Sequence, residues 1–272
     1  MMRPSIWSSY LIELSPEEMV TQFAAKGWEC SELSDEHGAV LLQRGDPAKV
    51  GRALRLFAQE HGFSFPQGHL WLMADIAGPD QPAVLDQLKR WLDLFLALGI
   101  RAGVLHPGGH TLLQQGNEPA LVHARRVHAL QQLADYVRGT PFTICLENVS
   151  YAPEVEDLLA LIEAVGSPHV GICLDTGHLN LASGQQGRFI RRAGPLLQAL
   201  HIADNEGQTD QHLMPYGRGT VPWDEVVSAL KEAGYQGLFN LEIPGENRCP
   251  LQVRLAKLDY LRTLTHLMLN SA

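Results

Sequence analysis

The feature that most constrains this chain is an alternation. Short β-rich runs recur at residues 5–10, 28–33, 63–70, 100–106, 142–148, 169–175, 197–204 and 238–243. Helical patterns fill most of the gaps, at residues 15–26, 47–61, 82–98, 118–137, 153–165 and 222–233, and apolar positions at three- and four-residue steps over 251–269 suggest a closing helix. Ser15, Pro16 and Glu18 supply a cap, an N1 proline and a capping-box acid. Gly27, Gly62, Gly99, Gly139, Gly166 and Gly234 stand where left-handed helix ends are expected. Strands joined by helices lie parallel, and eight of them predict a single (β/α)8 barrel of the α/β class. An open doubly wound sheet is the alternative, but no GxGxxG follows the first run, and no nucleotide cofactor is expected. Such barrels occupy roughly 200–250 residues, so residues 1–272 are read as one domain.

Composition narrows the partners. The chain carries 21 Lys+Arg against 30 Asp+Glu, a formal net charge of −9, which disfavours nucleic acid as the main ligand. Arg125, Arg126, Arg191 and Arg192 fall within helical patterns and are read as solvated faces. No apolar run approaches the ~18 residues of a membrane span, and the first residues lack the uninterrupted apolar core of a secretory signal. Cys30, Cys145, Cys173 and Cys249 lie far apart without a CxxC, which argues against a disulfide scaffold and a thiolate zinc site. Reduced thiols and a cytoplasmic location are expected.

In a barrel, the C-terminal ends of the strands carry the active site. Those ends hold His69, His106, Glu147, Asp175 with His178 just beyond, His201, Asp210 and His212 in the seventh loop, and Glu242. Cys145 and Cys173 precede Glu147 and Asp175 by two residues, so small side chains are expected beneath the acids. A lone histidine is usually a surface or capping residue. His37, His61, His123, His128, His169 and His266 are read that way, and His110 as a cap of the HPGGH loop. Glu147, Asp175, His201 and Glu242 are read differently, because four successive strands raise metal-competent groups to one height. Their mixed nitrogen and oxygen donors suit a divalent ion such as Zn, Mn, Co or Mg.

The segments LHPGGH (105–110), LENVS (146–150), LDTGHLNLA (174–182), LHIADNEGQTDQHLMPYGRGTVPW (200–223) and LEI (241–243) resemble the xylose isomerase-like TIM-barrel superfamily. Within it they are most similar to the sugar phosphate isomerase/epimerase group, which shares its fold with the endonuclease IV family. The resemblance implies that Glu147, Asp175, His201 and Glu242 form a single divalent-metal site. It also implies that His69, His106, His178, Asp210 and His212 match the extra ligands with which endonuclease IV-like members hold three zinc ions. Arg218, in YGRG, departs from the acid expected in many relatives and alters the charge beside the substrate.

Isomerising or epimerising a ketose moves a proton on carbon next to a carbonyl, and a divalent ion stabilises the enediolate that forms. Glu147 and Glu242, on strands five and eight, suit the acid/base pair, while His178 and Arg218 suit substrate hydroxyl or phosphate oxygens. The loop between Gly207 and Gly219 is a candidate lid. The expected function is therefore a metal-dependent isomerase or epimerase of a sugar, sugar phosphate or related polyol ketone. Two alternatives use the same residues: a multi-zinc phosphodiesterase acting on abasic DNA, and a metal-dependent dehydratase. Exposed apolar side chains on barrel helices would be compatible with a homo-oligomer.

Overall fold

The computed structural model describes residues 2–245 and 248–270. Eight parallel strands form its centre: β1 (Arg3–Trp7), β2 (Cys30–Leu33), β3 (Ser64–His69), β4 (Ala102–Leu105), β5 (Thr143–Glu147), β6 (Val170–Asp175), β7 (Leu197–His201) and β8 (Leu238–Leu241). Their order is β7-β6-β5-β4-β3-β2-β1-β8. The remaining seam closes just above β7, where the Ile202 N–H donates to Asn240 O (2.8 Å) and the Glu242 N–H donates to Ile202 O (3.0 Å). The chain is thus a (β/α)8 barrel, as its alternation predicts.

The helices form as their local chemistry dictates. Ser15 caps α1 (Pro16–Ala25) in a complete capping box with Glu18. The six predicted helix-ending glycines all adopt φ between 66° and 91°, the left-handed region that glycine enters without steric cost. Four helices escape the sequence reading: α2 (Asp35–Gln43), α5 (His110–Gln114), α8 (Thr176–Leu181) and α9 (Gln186–Ala193). All are short, so few apolar positions repeat within them. The expected longer helices appear as α3 (Pro47–Glu60), α4 (Gln81–Leu98), α6 (Pro119–Tyr136), α7 (Val155–Val165), α10 (Trp223–Glu232) and α11 (Leu251–Asn270). Among the described residues, no helix is long and apolar enough to cross a membrane.

Two strands stop three residues earlier than predicted. The first gives way to a 3-10 turn at Ser8–Leu11, and β7 ends at His201 because the chain turns away to build a loop around Asp204. His37 is a correction: it is buried, with Nδ1 2.8 Å from Ser8 Oγ and Nε2 3.1 Å from Leu14 O. Arg125 and Arg126 also differ from the solvated reading, since they donate to the carbonyls of Ala77, Gly78 and Gly108 and brace two active-face loops. Arg191 does lie on the surface, 3.3 Å from Glu232.

Most of the apolar core lies between sheet and helices, around Phe23, Phe63, Trp91, Phe95, Phe142 and Phe189. A smaller cluster of Val104, Cys145, Cys173 and Ala199 fills the barrel interior below the acids, so both cysteines are packing residues there. Register then sets the site: Asp175 lies opposite His201, and Glu147 opposite Cys173. Asn148 extends this alignment beyond the ladder. Its Oδ1 accepts from the Asp175 N–H (2.7 Å) and its Nδ2 donates to Asp175 O (3.0 Å), like one more peptide unit. Asn148→Ala strands both backbone groups in a buried place, and we expect a loss of about 2–3 kcal/mol in urea unfolding.

Candidate metal centre

Four buried side-chain atoms at the barrel mouth have no hydrogen-bond partner among the described residues: Glu147 Oε2, Asp175 Oδ2, His201 Nδ1 and Glu242 Oε2. They converge. From His201 Nδ1 the distances are 3.2 Å to Glu242 Oε2, 3.5 Å to Glu147 Oε2 and 4.0 Å to Asp175 Oδ2. An unpaired buried carboxylate oxygen is costly, and three of them facing one imidazole nitrogen form the donor set a divalent cation requires. The residues present therefore fit a metal ion. Asp175 shows how structural and ligand roles coexist, because its Oδ1 caps α8 by accepting from the His178 N–H (2.7 Å) while Oδ2 faces the cluster.

The five additional residues adjoin this centre. His69, His106 and Glu147 can share an ion, as can Glu147, Asp175 and His178, and Asp175, His201 and Glu242. Glu147 Oε2 lies 3.5 Å from His69 Nε2 and 3.3 Å from His106 Nε2. Asp210 Oδ2 lies 3.2 Å from His178 Nε2 and 3.1 Å from His212 Nε2. All nine metal-competent residues read from the sequence thus come together. His110 stays outside, exposed and stacked on Tyr151. Arg218 sits at the rim, with Nε 3.6 Å from Glu206 Oε2, apart from the buried donors.

Three of the imidazoles are aimed by backbone carbonyls. His69 Nδ1 lies 2.7 Å from Leu70 O, His178 Nδ1 2.9 Å from Asn148 O and His212 Nδ1 2.9 Å from Glu242 O, which leaves each Nε2 facing the acids. Electrostatics follows from this crowding. Burial lowers His69, but the adjacent Glu147 carboxylate outweighs it and raises the imidazole to about 9. Burial also opposes charge on His212, yet Asp210 holds it up to about 10. Glu147 would be raised by burial, but His201 and His106 hold it well below the usual carboxylate range. Glu242 has less compensation: burial, together with Asp175 and Glu147, outweighs His201 and pushes it up to about 8. The histidines thus supply the positive charge that this acid cluster demands.

The seventh loop is held by a residue the sequence reading left out. Asp204 accepts from the N–H groups of Asn205 (2.8 Å) and Val221 (3.0 Å) and from Trp223 Nε1 (2.9 Å). Within that loop His212 adopts φ 47°, an uncommon value for a residue with a side chain, which turns its ring toward Asp210. Trp7 also went unnoticed; its ring stacks on His212 with centroids 6.3 Å apart. A third omission, Glu32, lies 3.0 Å from His201 Nε2. An acid inside a strand buried on both faces is the signal that would have found it.

Comparison with known proteins agrees with this fold. A family model described as xylose isomerase-like TIM barrel matches residues 20–264. A D-psicose 3-epimerase of Enterocloster bolteae is 27% identical over 200 residues, covering 70% of this chain and 64% of that protein. A D-psicose 3-epimerase of Agrobacterium fabrum is 28% identical, covering 52% and 48%. The chain therefore matches under two thirds of the length of these curated relatives. Among solved structures, a D-psicose 3-epimerase from Clostridium cellulolyticum superposes with a TM-score of 0.83 at 18% identity, covering 98% of this chain and 99% of that one. A likeness at that identity speaks to the fold.

A Cβ at Gly219 would run into the Asp204 carboxylate, which three donors hold in place. We expect Gly219→Ala to cost about 1–3 kcal/mol, seen as a lower urea midpoint at unchanged slope.

Proposed function

The chain belongs to the xylose isomerase-like TIM barrel family, and on that premise we propose a divalent-metal-dependent isomerase or epimerase acting on a ketose sugar, sugar phosphate or related polyol ketone. The observation that carries this reading is the convergence of four unpartnered atoms from Glu147, Asp175, His201 and Glu242 at one level of the barrel mouth. The 3-epimerase relatives supply the substrate class. The proposed setting is cytoplasmic, with a single barrel domain working on a small molecule.

Glu147, Asp175, His201 and Glu242 would hold a divalent cation, which would supply Lewis acidity toward the substrate carbonyl and so make the neighbouring C–H more acidic. The chain's own residues carry the proton. One of Glu147 and Glu242, as the carboxylate, removes it, the C–H electron pair passes into the enediolate, and the other, as the protonated acid, returns a proton to carbon, so the two exchange protonation states. Return to the same carbon from the opposite face epimerises; return to its neighbour isomerises. His178 steadies Glu147, with Nδ1 3.1 Å from Glu147 Oε1, and offers its ring edge to a substrate hydroxyl. Arg218, exposed at the rim, meets the distal end of the substrate, where a phosphate or outer hydroxyl would lie. The loop from Gly207 to Gly219 closes over the sugar and excludes water from the carbanion-like intermediate.

A second reading, a multi-metal phosphodiesterase, is favoured by one observation: His69 and His106 on one side, and His178, Asp210 and His212 on the other, extend the central donors into a continuous nine-residue array. Two or three ions there would suit activation of water and stabilisation of a leaving oxygen. The two readings differ in what each residue is needed for.

Metal content per chain separates them, with about one divalent ion expected for the epimerase and about three for the hydrolase. With a ketose panel in D2O, Glu147→Gln and Glu242→Gln should each abolish deuterium incorporation at carbon while leaving the circular dichroism spectrum unchanged; continued exchange in both variants rejects the two-carboxylate scheme. Asp210→Asn and His212→Ala should cost the epimerase about tenfold or less, in line with supporting positions around a metal, whereas total loss together with nicking of abasic DNA establishes the hydrolase.

A further inference from the structure

His201 is aimed differently from its neighbours. His69 and His212 are fixed by carbonyls of the backbone and face the cluster with Nε2, while His178 is held at Nδ1 by Asn148 O, with Glu147 Oε1 also 3.1 Å from that nitrogen. His201 faces the cluster with Nδ1, and its Nε2 lies 3.0 Å from Glu32 Oε1, a side chain on β2, across the barrel. Both residues are fully buried. The other carboxylate oxygen, Glu32 Oε2, accepts from Asn240 Nδ2, and Asn240 Oδ1 accepts from Ser5 Oγ (2.8 Å). The chain of contacts runs Ser5, Asn240, Glu32, His201, from β1 and β8 through β2 to β7.

We propose that Glu32 is the positioning residue of the metal centre: by accepting from Nε2–H it fixes the His201 tautomer and presents the Nδ1 lone pair to the ion. Hydrogen-bond polarity makes the assignment. Glu32 takes a donated bond from the Asn240 amide on one oxygen and accepts from His201 Nε2–H on the other, which places a proton on Nε2 and leaves Nδ1 as the nitrogen that an ion would meet. The Asn240 amide occupies the second oxygen and leaves Glu32 no competing use of the first. Register adds direction, since β7 also places His201 level with Asp175. Without Glu32, imidazole rotation and the alternative tautomer become accessible, and a proton on Nδ1 would face the three carboxylates in place of the lone pair. The ligand set would then keep its members and lose its alignment. This inference rests on the metal-centre reading above, but the proton it places on Nε2 can be read without metal.

The test has two arms. In the metal-free wild-type protein, 15N NMR of the imidazoles should show a proton on His201 Nε2 held by Glu32, with that signal lost in Glu32→Ala; a His201 Nε2 without a proton overturns the proposal whatever the metal does. In the second arm, Co2+ affinity is measured by competition with a chromophoric chelator, alongside the visible spectrum of the bound ion. Glu32→Ala should bind about 10–100-fold more weakly with an altered spectrum, and Glu32→Gln, which can still accept from His201 if Asn240 turns its amide, should keep the wild-type spectrum with a smaller loss. Wild-type affinity and spectrum in Glu32→Ala overturn the positioning role. If Glu32→Ala does not fold, the Glu32→Gln spectrum and the wild-type Nε2 proton decide. Absence of Co2+ binding by the wild type instead overturns the metal reading, and an Nε2 proton held by Glu32 in that same protein upholds the Glu32–His201 contact.

Discussion

A protein interior does not tolerate acids that face one another without compensation, and this barrel sets three such oxygens around one imidazole nitrogen. Much of the active face can be understood as a response. Histidines take up positive charge beside Glu147 and Asp210, backbone carbonyls orient three of those rings, and Asn148 locks the tops of β5 and β6 so that Glu147 and Asp175 cannot drift apart. A cation held there would satisfy all four unpartnered atoms at once. Stability and ligand binding are in tension at this place: the groups that make the site chemically competent are those a folding barrel would most readily do without.

The scaffold supplies the rigidity that such an arrangement needs. Parallel ladders fix the heights of Asp175 and His201 through backbone hydrogen bonds, and the interior cluster of Val104, Cys145, Cys173 and Ala199 fills the space beneath. Small side chains there leave the acids above at the mouth. Outside the sheet, the larger aromatic side chains of the main core set how the helices pack.

The architecture was legible because its signals repeat. Eight alternations, six helix-ending glycines and one capping box all concur, and each rests on local geometry that tertiary context rarely overrides. The metal-competent residues were legible for a related reason: strand tops share one environment, so histidines and acids recurring there point to one place. What escaped was held by long-range contact. Glu32 lies within a four-residue strand far from His201 in the chain, and only the closed barrel brings them together. Asp204 looked like the tail of a strand, although its partners lie past a loop that no periodicity reveals. His37 was misjudged because a single histidine in a short helix carries no sign of the Ser8 and Leu14 groups that receive it.

The nine donors are not mounted alike. Glu147, Asp175, His201 and Glu242 stand on or directly beside strands, whereas Asp210 and His212 belong to a loop whose shape depends on Asp204 and on an uncommon backbone angle at His212. Changes in that loop can alter or remove Asp210 and His212 while the barrel and its inner quartet stay intact. The inner quartet has no such freedom, since shifting any member means shifting a strand. A lineage built on this plan can therefore exchange one chemistry for another by rewriting a single surface segment, and the sequence of that segment becomes the place to look when related barrels diverge in what they do.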